Sequence, residues 1–420
     1  MRVSTMNAFS TGVAILQKRQ QDMEEAQNRL TSGKRVNHAS DDPTAAASAE
    51  RAMASIGRAD AAQRALQTSR NAMTLAEGAL GDANELLQQA HETMIAAGNA
   101  SYSDSERKTL ANKLADIRNQ LLSIANRPDG AGGYLFSGQG APQPPFVDMP
   151  AGQPTGPTLP LFPNAGVRYL GSGGTIDTQS SEPLPLTVDG NAAWMQAQSG
   201  NGYFETESGD RLAVPAVSPS TRAWIDKGSV TDPSALTTSS YSITFSGAGP
   251  TLAYSITPSG SGTAVVNASF VPGQAIQLDG MSFTISGTPS NTDQFTIRPS
   301  TPSLSVFDAL DNAIGDLSTP SRTSQQVQQT VAYGVRDLDS SITRIQAVRA
   351  EVGEVMNRTE GVESRISASK LNAQTEKSNA EDLDMVAGVS EFQGQQAGYN
   401  AALQAYSMVQ RMTLFQYLNM

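Results

Sequence analysis

Proline constrains this chain more than any other residue, because 19 of its 22 prolines fall between Pro142 and Pro302. A proline inside a helix removes a backbone donor and clashes with the preceding turn, at a cost of about 3 kcal/mol. Long helices are therefore confined to the two flanks. Those flanks are rich in Ala, Gln, Leu, Glu and Arg, whereas the middle is rich in Ser, Thr, Gly and Pro, a change from helix-forming to strand-and-turn composition. The 420 residues leave room for two to four domains at about 150 residues each. The expected fold is mainly α, a discontinuous helical bundle built from both chain ends with an antiparallel β domain inserted between its halves. Its expected parts are terminal coiled-coil helices over 1–42 and 378–420, a helical bundle over 43–146 and 302–377, and a β-rich outer domain over 147–301.

Heptad spacing near the N-terminus picks out Phe9, Val13, Leu16, Gln20, Met23, Gln27 and Leu30, five of the seven apolar. The same spacing near the other end gives Met385, Val389, Phe392, Gln396, Tyr399, Leu403 and Tyr406, six of seven apolar or aromatic. One such seam suits an ordinary amphipathic helix. Two matching seams at the extreme ends suit helices that bury their faces against partners. Gly33 is placed to stop the first helix, and Asp42 with Pro43 to cap and open the second. Ser103 and Glu106 form a capping box before the apolar stripe Leu110, Leu114, Ile117, Leu121 and Ile124. Helix is expected again from about Ser303. Within the insert, Tyr241–Phe245, Ala253–Ile256, Met281–Ile285 and Gln294–Ile297 alternate apolar with Ser or Thr residues and are expected as strands, with Trp194 and Trp224 inside their domain.

Chemistry has few places to reside. Lys and Arg number 29 against 40 Asp and Glu, a net charge of −11, so neither nucleic acid nor an anionic membrane surface is an expected partner. There are no cysteines, which removes thiolate nucleophiles, disulfides and Cys-based metal sites. The two histidines, His38 and His91, are far apart in sequence. No catalytic, cofactor-binding or metal-ligating set is expected, and the chain is not expected to be an enzyme. Adjacent Asp41 and Asp42 diverge on a turn and suit helix capping better than metal binding. Gly171-Ser-Gly-Gly174 lacks the lysine of a phosphate loop. Trp194 or Trp224 could stack on a sugar, although filling a small β core is the commoner use of tryptophan. The N-terminus has no apolar stretch of signal-peptide length, and no segment approaches the roughly 18 apolar residues of a spanning helix.

The segment Leu30-Thr-Ser-Gly-Lys-Arg-Val-Asn-His-Ala-Ser-Asp-Asp-Pro43 closely resembles a hinge motif of the bacterial flagellin family, Leu-Ser-Ser-Gly-x-Arg-Ile-Asn-Ser-Ala-x-Asp-Asp. Gly33, Arg35, Asn37, Asp41 and Asp42 occupy motif positions and Pro43 follows, while His38 departs from the usual Ser. Tyr134, Leu135, Phe136 and Gly138 within Gly133–Gly138, together with Pro145-Phe146 and the terminal stretch Tyr399–Leu418, are more similar to the family's hook-associated branch than to flagellin itself. The resemblance covers about 1–146 and 303–420. It implies a structural axial protein at the hook-filament junction of the bacterial flagellum, with the apolar seam residues as its assembly interface. It further implies a ring of identical copies, hook-associated protein 1 and flagellin as neighbours, and an export chaperone at the C-terminal helix. Its implied location is extracellular, reached through type III export without a cleaved signal peptide. A short flagellin, or a surface enzyme or glycan-binding β domain on helical anchors, are the alternatives.

Overall fold

The computed structural model describes residues 2–141, 143–149, 166–179, 182–209, 218–247, 249–260 and 263–418, with side chains from Ser10 to Met408 except at 250. Its helices are α1 (Arg2–Ser32), α2 (Pro43–Ala97), α3 (Asp104–Ala125), α4 (Gly190–Trp194), α5 (Val306–Ser318), α6 (Ser324–Glu381) and α7 (Met385–Leu418). Local signals fix their ends. Gly33 closes α1 at φ +68°, a conformation that costs a side-chain-bearing residue about 1–2 kcal/mol. Asp42 Oδ1 accepts the N–H groups of Thr44 at 3.1 Å and Ala45 at 3.0 Å, opening α2. The Ser103–Glu106 capping box opens α3.

Strands occupy the middle: β1 (Phe146–Met149), β2 (Gly166–Tyr169), β3 (Ala197–Gln198), β4 (Phe204–Ser208), β5 (Ala223–Ile225), β6 (Ser229–Val230) and β7 (Tyr241–Ser246). They continue as β8 (Ala253–Pro258), β9 (Val266–Ser269), β10 (Ala275–Leu278), β11 (Met281–Gly287), β12 (Gln294–Pro299) and β13 (Pro302–Leu304). One five-stranded sheet runs β4-β12-β7-β8-β9; a second runs β10-β11-β5, with β6 also on β11. All their pairings are antiparallel. The segment from Ser303, expected to begin a helix, instead lies in β13, paired with β3. The helix waits for Ser305, whose hydroxyl accepts from Phe307 and Asp308 N–H.

The chain forms two compact units, 1–64 with 361–420, and 65–360. The limits of the units, 64/65 and 360/361, fall within the ranges of α2 and α6, and not at the expected boundaries near 42 and 378. In the first unit α1 lies antiparallel to α7, with Gly12 near Tyr406 and Leu30 near Gly388. In the second, Leu80, Leu87 and Met94 of α2 meet Leu114 and Leu121 of α3, Leu310 of α5, and Leu338 and Ile345 of α6 in one helical core.

Trp194 belongs to this helical core and not to the β domain. It stacks on Phe307 with centroids 5.9 Å apart and an interplanar angle of 18°, and Phe136 meets it edge-on at 5.5 Å. Phe146 of β1, Val167 of β2 and Val188 join the same cluster. Phe146, Val167, Val188 and Trp194 are therefore content of the bundle, and the expected outer-domain boundary at 147 is corrected accordingly. The separate β core is filled by Phe204, Phe245, Phe283, Phe295 and aliphatic neighbours. Trp224 is excluded from it by strand alternation, since Ala223 and Ile225 on either side point inward. The β domain is fastened to α6 by buried polar groups. Gln329 accepts from Ile225 N–H at 2.9 Å and donates to its carbonyl at 3.0 Å, while Arg336 donates to the Thr206 carbonyl at 2.9 Å and pairs with Asp337 at 2.7 Å.

Candidate assembly interface

The terminal seam separates into two faces. On α7, Phe392, Tyr399 and Tyr406, seven residues apart, are half-buried, whereas Val389 and Leu403 are 43% and 41% exposed and Met385 is 52% exposed. The column beside the aromatics is Gly388, Gln395 and Ala402, all partly or fully buried, and not the expected Val389, Gln396 and Leu403. Small size is the reason. A Cβ on Gly388 would stand 2.7 Å from Leu383 and 3.2 Å from Leu30, so glycine there lets the helices approach. On α1, Val13, Leu16, Met23 and Leu30 are half-buried and Ala26 is buried, while Gln20 and Gln27 are exposed. Phe9 lies in α1, with its side chain outside the described residues. Val389 and Leu403 thus form an outward face with Val386, 83% exposed, and Met408.

The hinge residues are committed to backbone groups. Asp41 accepts the N–H of His38 at 2.9 Å and of Asn37 at 3.1 Å, and the first of these bonds does most to hold its carboxyl below the usual range. Asp42 is held low chiefly by the Ala45 N–H. Arg35 donates to the Ala380 carbonyl at 3.0 Å and to Asp42 at 3.4 Å. This joins the hinge to a second loop that sequence reasoning missed. Arg35 N–H donates to the Glu381 carbonyl at 2.6 Å, and Leu383 N–H to the Gly33 carbonyl at 2.9 Å. Lys34 Nζ lies 3.0 Å from Glu381. A signal was available in Glu381-Asp-Leu-Asp384, whose last residue caps α7 by accepting from Val386 and Ala387.

The motif around Tyr134 serves packing. Leu135 and Phe136 are buried, Tyr134 is half-buried, and Val188 N–H donates to the Leu135 carbonyl at 2.8 Å. Gly138 sits at φ +64°, where a Cβ would come within 1.8 Å of the Ser172 carbonyl oxygen.

Comparison with known proteins follows the same division. The family model of the bacterial flagellin N-terminal helical region matches residues 3–141 and that of the C-terminal helical region matches 335–418, together more than half of the chain. The chain belongs to the bacterial flagellin family. Within that family it is 23% identical over 428 aligned residues to flagellar hook-associated protein 3 of Escherichia coli, covering 99% of each chain. The flagellin of Bacillus subtilis is 28% identical, over 32% of this chain and 43% of its own. The crystal structure of the flagellar junction protein FlgL from Legionella pneumophila is 27% identical with a TM-score of 0.60, covering 71% of this chain and 94% of that one. Residues 219–299 of the flagellin-family chain also match the D2-like domain of flagellar hook-associated protein 1, a relationship its β insert had not disclosed.

Proposed function

We propose that this chain is a structural axial protein of the flagellum that forms the junction between hook and filament. The observation that carries the reading is alignment from end to end with hook-associated protein 3, where the Bacillus flagellin aligns over only a third of the chain. The physical mechanism is association of helices. Copies of the chain assemble into a ring through the outward face of α7 and the exposed Ile15 of α1, since burying one such side chain is worth roughly 1.5–3 kcal/mol. Hook-associated protein 1 borders the ring on one side and flagellin on the other. Before assembly an export chaperone covers the C-terminal helix, and the chain leaves the cell by type III export without a cleaved signal. It acts without catalysis and without a cofactor. Immunogold labelling of intact flagella tests the reading: a single band at the hook-filament boundary is expected, and label along the whole filament would make the protein a flagellin instead.

A further inference from the structure

The segments 33–36, after α1, and 380–384, at the end of α6 and before α7, lie 345 residues apart in sequence at Arg35 and Ala380 yet form one antiparallel bridge at Lys34 and Asp382. We infer that they act as a register clasp, setting how far α1 slides along α7, with Arg35 as its positioning residue. The inference concerns the terminal helices alone and stands whichever assembly the chain joins.

The large side chains of the seam between these helices specify its register only weakly, because they repeat. Its inward columns repeat every seven residues with the same chemistry: Phe392, Tyr399 and Tyr406 on α7, and Leu16, Met23 and Leu30 on α1. A slide of one heptad keeps these columns facing one another, at the cost of setting Gln395 where Gly388 stands beside Leu30 and of moving Tyr406 off Gly12. The adjoining α7 column, Gly388, Gln395 and Ala402, adds one register preference, the small residue beside Leu30, and no large knob fixed in a single hole. The clasp has no such degeneracy. Its backbone bonds, Arg35 N–H to Glu381, Val36 N–H to Glu381 and Leu383 N–H to Gly33, exist in one alignment only. Side chains reinforce them: Lys34 pairs with Glu381, and the Arg35 guanidinium spans from the Ala380 carbonyl at the end of α6 to Asp42, the cap of α2. Both helices of the pair thereby start from one fixed point. The register decides which α7 residues stand outward together with Ile15, so the clasp defines the face that α1 and α7 jointly present.

The chain has no cysteine, so two introduced ones report without background. Gln17→Cys and Ser390→Cys, both at exposed positions, carry spin labels in the full-length monomer. Ser390 lies nearer the clasp than the α7 residues facing Gln17, so a one-heptad slide changes the separation by about 10 Å, at 1.5 Å of rise per residue. A single narrow distance is expected in the parent. In Lys34→Ala/Arg35→Ala, and in Leu383→Pro, which lacks the donor to Gly33, a second distance displaced by about 10 Å is expected. Far-UV circular dichroism accompanies each variant. Should Leu383→Pro lose helix content, the double-alanine variant decides alone: a second distance supports the clasp, and one unchanged distance overturns the assignment of Arg35 as its positioning residue.

Discussion

Gly138 and Gly57 separate two meanings of one residue type. At Gly57, within α2, a Cβ meets nothing within 4 Å, so Gly57→Ala removes only backbone freedom and should stabilise by about 0.5–1 kcal/mol. At Gly138 the positive φ and the Ser172 carbonyl both oppose a side chain, and Gly138→Ala should destabilise the second unit by at least about 2 kcal/mol. Urea melts of the two variants should shift in opposite directions. Nearby Tyr169 responds to pH. Burial first, then the charge of Asp189, push its phenol up to about 12, above the ordinary value near 10. The folded chain thus holds this proton more tightly than the unfolded one. Its contribution is whole below about pH 10 and is lost as pH rises from about 10 to about 12. Absorbance titration should show late-ionising tyrosine, of which Tyr169→Phe removes a part together with part of the alkaline fall in stability.

The outward and inward columns of α7 should fail in different ways. Leu403→Asp adds a charge at a position 41% exposed, so the monomer's melting should change by no more than about 0.5 kcal/mol. Assembly should fail. In cells lacking the parent protein, the expected outcome is secreted variant in the medium and flagellin shed unpolymerised; normal filaments would remove Leu403 from the interface. Phe392→Ala opens a gap toward α1 and should raise amide exchange in both α1 and α7 before any subunit contact is made. The heptad itself was legible in the sequence, but the choice of its second column was not. Apolarity favoured Val389 and Leu403, while close approach selected Gly388 and Ala402, and spacing alone carries no information about helix separation. The caps at Gly33, Asp42 and Ser103 were legible because they are satisfied within a few residues. The pairing of the two loops was hidden because its partners lie at opposite ends of the chain.

On the scale of the whole molecule, the two tryptophans fall on different sides of a division that composition drew in the wrong place. The proline and glycine content changes near residue 142, yet Phe146, Val167, Val188 and Trp194 turn back into the helical core. Replacing 147–301 by a short linker should therefore unfold the bundle. Replacing only 200–300 by two glycines should spare it, because β3 and β13 already bring the chain back beside itself, Ala197 opposite Leu304 and Gln198 opposite Pro302. Far-UV circular dichroism would distinguish the deletions, and Trp194, retained only in the shorter one, reports on it directly: a red-shifted Trp194 emission there would contradict the boundary drawn at β3 and β13. That paired neck has an evolutionary consequence. Strand neighbours stand about 5 Å apart, so any domain whose two ends meet can be exchanged there without lengthening the path of the chain. The inserted domain can diversify by recombination at a single doorway, while the helices on either side of it remain answerable only to one another.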